Sequence, residues 1–80
     1  MIDVTTRRPI SVNTEGTGGP YIMVPVDQLA ELEALLRTAQ VPFWTDSDAI
    51  SLDGKPAIAV VNLGRGANVN RVQRLLDKAA

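Results

Sequence analysis

The order of apolar and polar residues predicts one central strand and two weaker ones. Residues 57–63 are apolar except for Asn62, which is the pattern of a strand buried on both faces. A second strand covers residues 20–26 and ends near Pro25, which has no N–H to donate to a strand ladder. Apolar residues alternate with polar ones over residues 9–13, which predicts a short edge strand.

Two helices are predicted by apolar residues that recur at steps of three and four. The first covers residues 28–40, with Asp27 as the expected N-cap and Gln28 facing water. The second follows Asn68, whose side chain is expected to cap it. The two apolar stripes are Leu29, Leu32, Leu35, Leu36 and Ala39 in the first helix and Val69, Val72, Leu75, Leu76 and Ala79 in the second. Because each stripe is one-sided, both helices should lie on the sheet.

The segment between the first helix and the central strand predicts a hairpin. Pro42 ends the helix, since proline disfavours helical geometry at the residue before it. Residues 43–52 predict an extended segment, interrupted near residues 46–48. The pair Asp53-Gly54 is a strong hairpin signal, so this segment should run antiparallel to the central strand.

Together these elements predict a weak strand followed by the order β-α-β-β-α. This is most of a ferredoxin-like split β-α-β arrangement, in which the N-terminus would supply the fourth edge strand. We predict an α+β domain over residues 9–80 after a loosely ordered segment 1–8, with both helices on one face of an antiparallel sheet. The strand order should be N-terminal strand, first, third, second. In topology alone, the βαββα order resembles small regulatory domains such as the ACT-type domain, which pair through their sheets and bind small ligands.

A sheet with both helices on one face leaves its other face uncovered. Apolar side chains there would meet solvent, which monomeric proteins avoid once a patch exceeds a few hundred Å². We therefore expect a homodimer or a protein partner, with Tyr21, Met23 and Trp44 as interface residues. Neighbouring residues on a strand point to opposite faces, so one of Phe43 and Trp44 should face outward, unless both pack as ordinary core.

The composition narrows the chemistry of the chain. It contains neither Cys nor His, which excludes disulfides, thiolate zinc sites and the two familiar catalytic triads. The net charge of −1 gives no overall basic character for binding nucleic acid. No apolar run reaches the roughly 20 residues of a membrane span, and no signal-like region opens the chain. We expect a non-enzymatic cytoplasmic domain with no cofactor, metal, nucleic-acid partner or membrane partner.

A glycine loop between the central strand and the last helix is the candidate ligand site. Gly64, Arg65 and Gly66 precede Asn68, and Arg71 lies one turn into the helix. Such a loop exposes backbone N–H groups near the positive end of the helix dipole, which suits phosphate or carboxylate. The loop lacks the spacing of both nucleotide-binding fingerprints. The alternative is a tight turn that needs glycine for its geometry alone.

Two charged groups have weaker functional interpretations. Asp46, Asp48 and Asp53 could hold a hard cation or perform acid-base chemistry, but the calcium-loop pattern is incomplete and aspartate is common in turns. Basic residues at positions 71, 74 and 78 form a stripe on the last helix, which is typical of a solvated helix face, with RNA or an acidic protein surface as the functional alternative. The sequence therefore favours a non-catalytic interaction or regulatory module, with a small-ligand or anion-binding domain as the alternative and an enzyme using Asp46 or Asp48 third.

Overall fold

The computed structural model describes residues 1–16, 18–46 and 57–79. The strands are β1 (Val12–Asn13), β2 (Tyr21–Pro25), β3 (Trp44–Thr45) and β4 (Ile58–Asn62). The helices are α1 (Val26–Thr38) and α2 (Val69–Lys78). The hairpin predicted at Asp53-Gly54 lies outside the described residues.

The four strands form one antiparallel sheet in the order β1-β2-β4-β3. Strand β4 lies inside the sheet and pairs along its whole length with β2, so that Ile22 faces Val61 and Val24 faces Ala59. The predicted α+β class, with an antiparallel four-stranded sheet and two helices, is confirmed.

The core lies between one face of the sheet and the two helices. Because side chains alternate along a strand, the paired residues Ile22, Val24, Ala59 and Val61 share that face. All four are at most 3% exposed. They join one apolar cluster with both helices, whose most deeply buried members are Leu32, Leu36, Val72 and Leu76. Burial of these stripes holds both helices against the sheet.

Helix α1 begins two residues earlier than predicted, and Asp27 is not its N-cap. Strand β2 runs directly into the helix, with Pro25 as the N-cap residue and no side-chain cap. The N–H of Val26 donates to the carbonyl of Ala57 instead, so this helix end is fixed by the neighbouring chain. Asp27 lies in the first turn, where a carboxylate is favoured by the helix dipole. The predicted cap of α2 is confirmed, since the Asn68 side chain accepts from the N–H of Arg71 at 3.0 Å.

The prediction that Gln28 faces water is wrong, because its amide binds the N-terminal segment. Gln28 is 8% exposed. Its Oε1 accepts from the N–H of Val4 at 2.9 Å, and its Nε2 donates to the carbonyl of Ile2 at 2.8 Å. Met1 is buried, and its amino group donates to the carbonyl of Leu76. That residues 1–8 are loosely ordered stays a prediction.

Gln73 of α2 makes the same kind of contact with the start of β1. Its Oε1 accepts from the N–H of Val12 at 2.9 Å, and its Nε2 donates to the carbonyl of Ile10 at 3.3 Å. In extended backbone, the carbonyl of the preceding residue and the N–H of the following residue point to the same side. Each glutamine amide bonds to such a pair of backbone groups, as a neighbouring antiparallel strand would. The side chain of Gln73 thus covers the edge of the sheet at β1.

Candidate functional site

The face of the sheet opposite the helices carries a row of side chains that crosses all four strands. The strand register places Asn13 beside Tyr21, Tyr21 beside Asn62, and Asn62 beside Trp44. The next positions on this face pair Met23 with Val60 and Pro25 with Ile58. We call these residues the open face, of which Pro25 at one end is buried and the others are half-buried or exposed: Asn13, Tyr21, Met23, Pro25, Trp44, Ile58, Val60 and Asn62.

The open face is neutral within the four strands. None of its eight positions is Lys, Arg, Asp or Glu. The nearest described carboxylate in register is that of Asp46, directly after β3, whose Oδ1 accepts from Nδ2 of Asn62 at 2.9 Å. A neutral surface made of apolar, aromatic and amide groups can pack against another surface without burying an unpaired charge.

Trp44 is the outward aromatic of the adjacent pair. It is 54% exposed, whereas Phe43 is half-buried against the core. The guanidinium carbon of Arg37 lies 5.6 Å from the centre of the Phe43 ring, a distance typical of a cation–π contact. Met23 is 40% exposed and Tyr21 is half-buried. The three predicted interface residues therefore lie together on the open face.

The glycine loop adjoins Trp44, and its two glycines have different roles. Gly64 has φ +80°, and a Cβ there would lie 3.4 Å from Cζ3 of Trp44. Gly66 has no positive φ, and a Cβ there would meet nothing within 4 Å. The turn therefore requires glycine at position 64 but not at position 66.

Gly19 is a residue of this region that the sequence interpretation missed. It has φ +91°, and a Cβ there would lie 3.0 Å from the backbone N of Arg65 and 3.0 Å from the carbonyl carbon of Gly64. The connector before β2 thus passes against the glycine loop at backbone contact distance. A cluster of three glycines in four residues was the available signal, but nothing in it indicated what the chain approaches.

A pocket with a volume of about 440 Å³ opens beside the glycine loop, between the end of α1 and the start of α2. Arg71 is its charged residue, and Nη2 of Arg71 donates to the carbonyl of Ala39 at 2.7 Å. This bond joins α2 to the C-terminal end of α1, where a cation is favoured by the helix dipole. The pocket is lined by Val41, Pro42, Leu63, Gly66, Ala67, Asn68, Arg71 and Val72.

The five residues predicted to bind an anion are divided between two places. Gly66, Asn68 and Arg71 line the pocket, whereas Gly64 lies beside the ring of Trp44 at the edge of the open face. Arg65 is exposed and does not line the pocket. The apolar wall at Val41 and Pro42 could not be predicted, because these residues are more than twenty positions from the loop.

Other charged residues form no compact site in the described ranges. No group of three or more Asp, Glu, His or Cys residues that could hold a metal ion occurs there. Asp48 and Asp53 lie outside those ranges. The basic stripe at positions 71, 74 and 78 is on the exposed side of α2. No helix of the described chain has the length and apolar character to cross a membrane.

Comparison with protein-family models, with curated protein sequences and with solved structures found no match to this chain.

Proposed function

We propose that this chain is a non-catalytic interaction or regulatory module that self-associates by packing its open face against that of a second copy. The observation that carries the proposal is the neutral row across the sheet, with Trp44 and Met23 exposed at its surface. In a two-fold symmetric dimer, the same surface of each copy packs against that of the other. The strands themselves place no charge there, and the carboxylate nearest in register, that of Asp46, lies at the margin of the face and accepts from Asn62.

The shape of the molecule supports a second layer on the same face. Its principal extents are 34 × 29 × 19 Å, and the short dimension suits one helix layer on one sheet layer. If the fold is ferredoxin-like, packing the open faces of two copies would give a dimer with the two sheets in the middle and the helices on both outer surfaces. Sheets packed in this way lie about 10 Å apart.

The size of the open face indicates a weak dimer. Strands β2 and β4 have five residues each and β1 and β3 have two each. At about 3.3 Å per residue and about 4.8 Å between strands, they give a plan area of roughly 220 Å². Stable interfaces bury about 800 Å² on each partner, and smaller ones are typical of transient complexes. We therefore expect dissociation in the micromolar range rather than the nanomolar range.

The edge of the sheet at β1 is a less suitable contact for a second copy. An unpaired edge recruits strands through its free N–H and C=O groups. Gln73 already binds the carbonyl of Ile10 and the N–H of Val12. Face packing is therefore favoured over strand addition at β1.

Sedimentation velocity of the wild-type chain and two matched variants tests this proposal. Met23→Glu places a carboxylate on the open face, whereas Val26→Glu places one in the first turn of α1, outside that face. The two wild-type side chains are equally exposed, each at 40%. Over a concentration series of about 10 µM to 1 mM, which spans the expected dissociation constants, wild type and Val26→Glu should pass from monomer to dimer.

Met23→Glu should remain monomeric over the same series, because a dimer would bury its carboxylate without a partner. Circular dichroism of each variant checks that the monomer fold is retained. A wild-type chain that stays monomeric throughout, or a Met23→Glu chain that dimerises like Val26→Glu, would refute the proposal. Dimer loss in both variants would place the interface near α1 instead.

The second candidate function is binding of a small ligand or anion by the Gly64-Arg65-Gly66 loop and the start of α2. The pocket favours it, because Gly66, Asn68 and Arg71 are brought to one opening beside apolar walls. Its volume of about 440 Å³ falls within the range of about 300 to 1,000 Å³ that holds small organic ligands in proteins. Titration of Arg71→Gln with a small anion tests whether this candidate holds.

A further inference from the structure

The pocket between the two helices has the chemistry to distinguish one class of small ligand from others. Most of its lining is aliphatic, from Val41, Pro42, Leu63, Ala67 and Val72. The Oδ1 of Asn68 accepts from the N–H of Arg71, and the Nδ2 of this side chain is an uncharged donor. Recognition of a charged group in this pocket therefore falls to the guanidinium of Arg71.

Arg71 has donors left for such a group. A guanidinium carries five N–H donors, and among the described residues this one makes a single hydrogen bond, from Nη2 to the carbonyl of Ala39. That bond fixes the side chain across the gap between the helices, at the opening of the pocket. A guanidinium held in one position can accept a planar carboxylate with little further loss of side-chain freedom.

We propose that the pocket binds a small monocarboxylate with an aliphatic or aromatic body, with the body against the Val41 and Leu63 wall and the carboxylate on Arg71. This proposal rests on the second candidate function and is independent of the dimer. Highly charged ligands such as nucleoside phosphates are disfavoured, because the pocket offers one cation and mostly apolar surface. Neutral analogues are disfavoured because the guanidinium N–H groups would lose a charged partner.

The test compares phenylacetate with phenylacetamide, which has the same shape but no charge. Each is titrated into the ¹⁵N-labelled chain, and the amide signals of residues 66–72 and of Val41 are followed by NMR. For a ligand of this size we expect saturable shifts from phenylacetate with a dissociation constant on the order of 0.1 to 1 mM. Phenylacetamide should bind at least tenfold more weakly, which is the difference expected for losing a charge-assisted hydrogen bond pair.

Three variants locate the site. Arg71→Gln should weaken phenylacetate binding about tenfold or more, whereas Arg74→Gln, which makes the same charge change outside the pocket lining, should leave it unchanged. Gly66→Leu adds a bulky side chain at a position that lines the pocket and should therefore weaken binding. The fold should tolerate it, because Gly66 has no positive φ and a Cβ there meets nothing within 4 Å. This third variant keeps the test decisive if Arg71→Gln loses its native spectrum.

Several outcomes would overturn the proposal. The absence of saturable shifts up to about 10 mM ligand, ten times the largest dissociation constant expected, would exclude the pocket as a site for monocarboxylates of this kind. Equal binding of acid and amide would show that charge is not recognised. Undiminished binding by Gly66→Leu, or shifts confined to the open face, would place the ligand elsewhere. The dimer is assayed by sedimentation without ligand. A negative result for ligand binding therefore does not affect the proposed self-association.

Discussion

The two glutamine amides that hold the N-terminal segment allow a quantitative test of the fold. Gln28 of α1 binds the backbone on either side of Asp3, and Gln73 of α2 binds the backbone on either side of Ser11. Replacing either glutamine by alanine removes one acceptor and one donor at once. The backbone groups then lose partners unless water reaches them.

The expected cost differs between the two sites because their burial differs. Leaving a buried polar group without a partner costs about 1 to 3 kcal/mol. Gln28 is 8% exposed, but its two partners, Ile2 and Val4, are exposed residues that water can reach. We therefore expect Gln28→Ala to cost about 2 kcal/mol and Gln73→Ala, at a half-buried position, about 1 kcal/mol. Either is a substantial part of the roughly 4 to 12 kcal/mol expected for a domain of this length.

Gln28→Glu adds a prediction about how stability changes with pH. An ionised carboxylate can accept from the N–H of Val4 but cannot donate to the carbonyl of Ile2, whereas a protonated carboxyl group can do both. Burial and the facing carbonyl should raise the pKa of this glutamate in the folded chain above its unfolded value of about 4.3. The folded state then binds the proton more tightly, so the stability of the variant relative to wild type should fall as the pH rises through the folded pKa.

Urea unfolding followed by circular dichroism measures these differences, and amide exchange at Val4 and Val12 reports the released N–H groups. Glu31→Ala, at an exposed position one turn from Gln28, is the control and should change stability by no more than about 0.5 kcal/mol. Equal stability of Gln28→Ala and Glu31→Ala would contradict the hydrogen-bonding account. So would a Gln28→Glu variant whose stability relative to wild type does not depend on pH.

Two further predictions concern the glycine loop and the open face. Gly19→Ala should lower the free energy of unfolding by about 2 kcal/mol or more, because it combines a positive φ with backbone contacts at 3.0 Å; Gly18→Ala, with no positive φ and open space, should stay within about 0.5 kcal/mol of wild type in thermal unfolding. The emission of Trp44, the single tryptophan, should shift to shorter wavelength as concentration rises and should not shift in Met23→Glu; unchanged emission in a sample that sedimentation shows to be dimeric would exclude Trp44 from the interface.

Regular periodicity made part of the fold predictable. The stripes of Leu32 and Leu36 and of Val72 and Leu76 are local patterns that burial then confirmed. The cap at Asn68 was predictable because the side chain bonds within one turn of its own position. In each case the physical cause lies within a few residues of the sequence that signals it.

The start of α1 shows where this local reasoning fails. An aspartate before an apolar helix stripe normally indicates an N-cap. Here the N–H of Val26 is satisfied by the carbonyl of Ala57, which lies thirty-one positions later, directly before β4. The same holds for Gln28, whose exposed-looking position in the helix pattern is covered by residues 2–4. In both cases the outcome depends on backbone groups that are distant in sequence, and the periodicity of a helix gives no information about them.

The candidate sites show the same difference between local and long-range causes. Tyr21, Met23 and Trp44 could be selected from strand alternation because facing is a local property of a strand. The pocket could be predicted only at Gly66, Asn68 and Arg71, since its other wall comes from the end of α1. Arg71 looked like one residue of a solvated basic stripe, and its bond to the carbonyl of Ala39 distinguishes it from Arg74.

The position of Gln73 connects the fold to the proposed self-association. A small sheet can recruit a second copy through an edge, which tends to extend without limit, or through a face, which closes after two copies. Gln73 engages one N–H and one carbonyl that strand addition at the β1 edge would use, while its own helix remains on the opposite side from the open face. Because the strands place no charge on the open face and Gln73 occupies backbone groups at the β1 edge, packing of two open faces is favoured over strand addition at that edge.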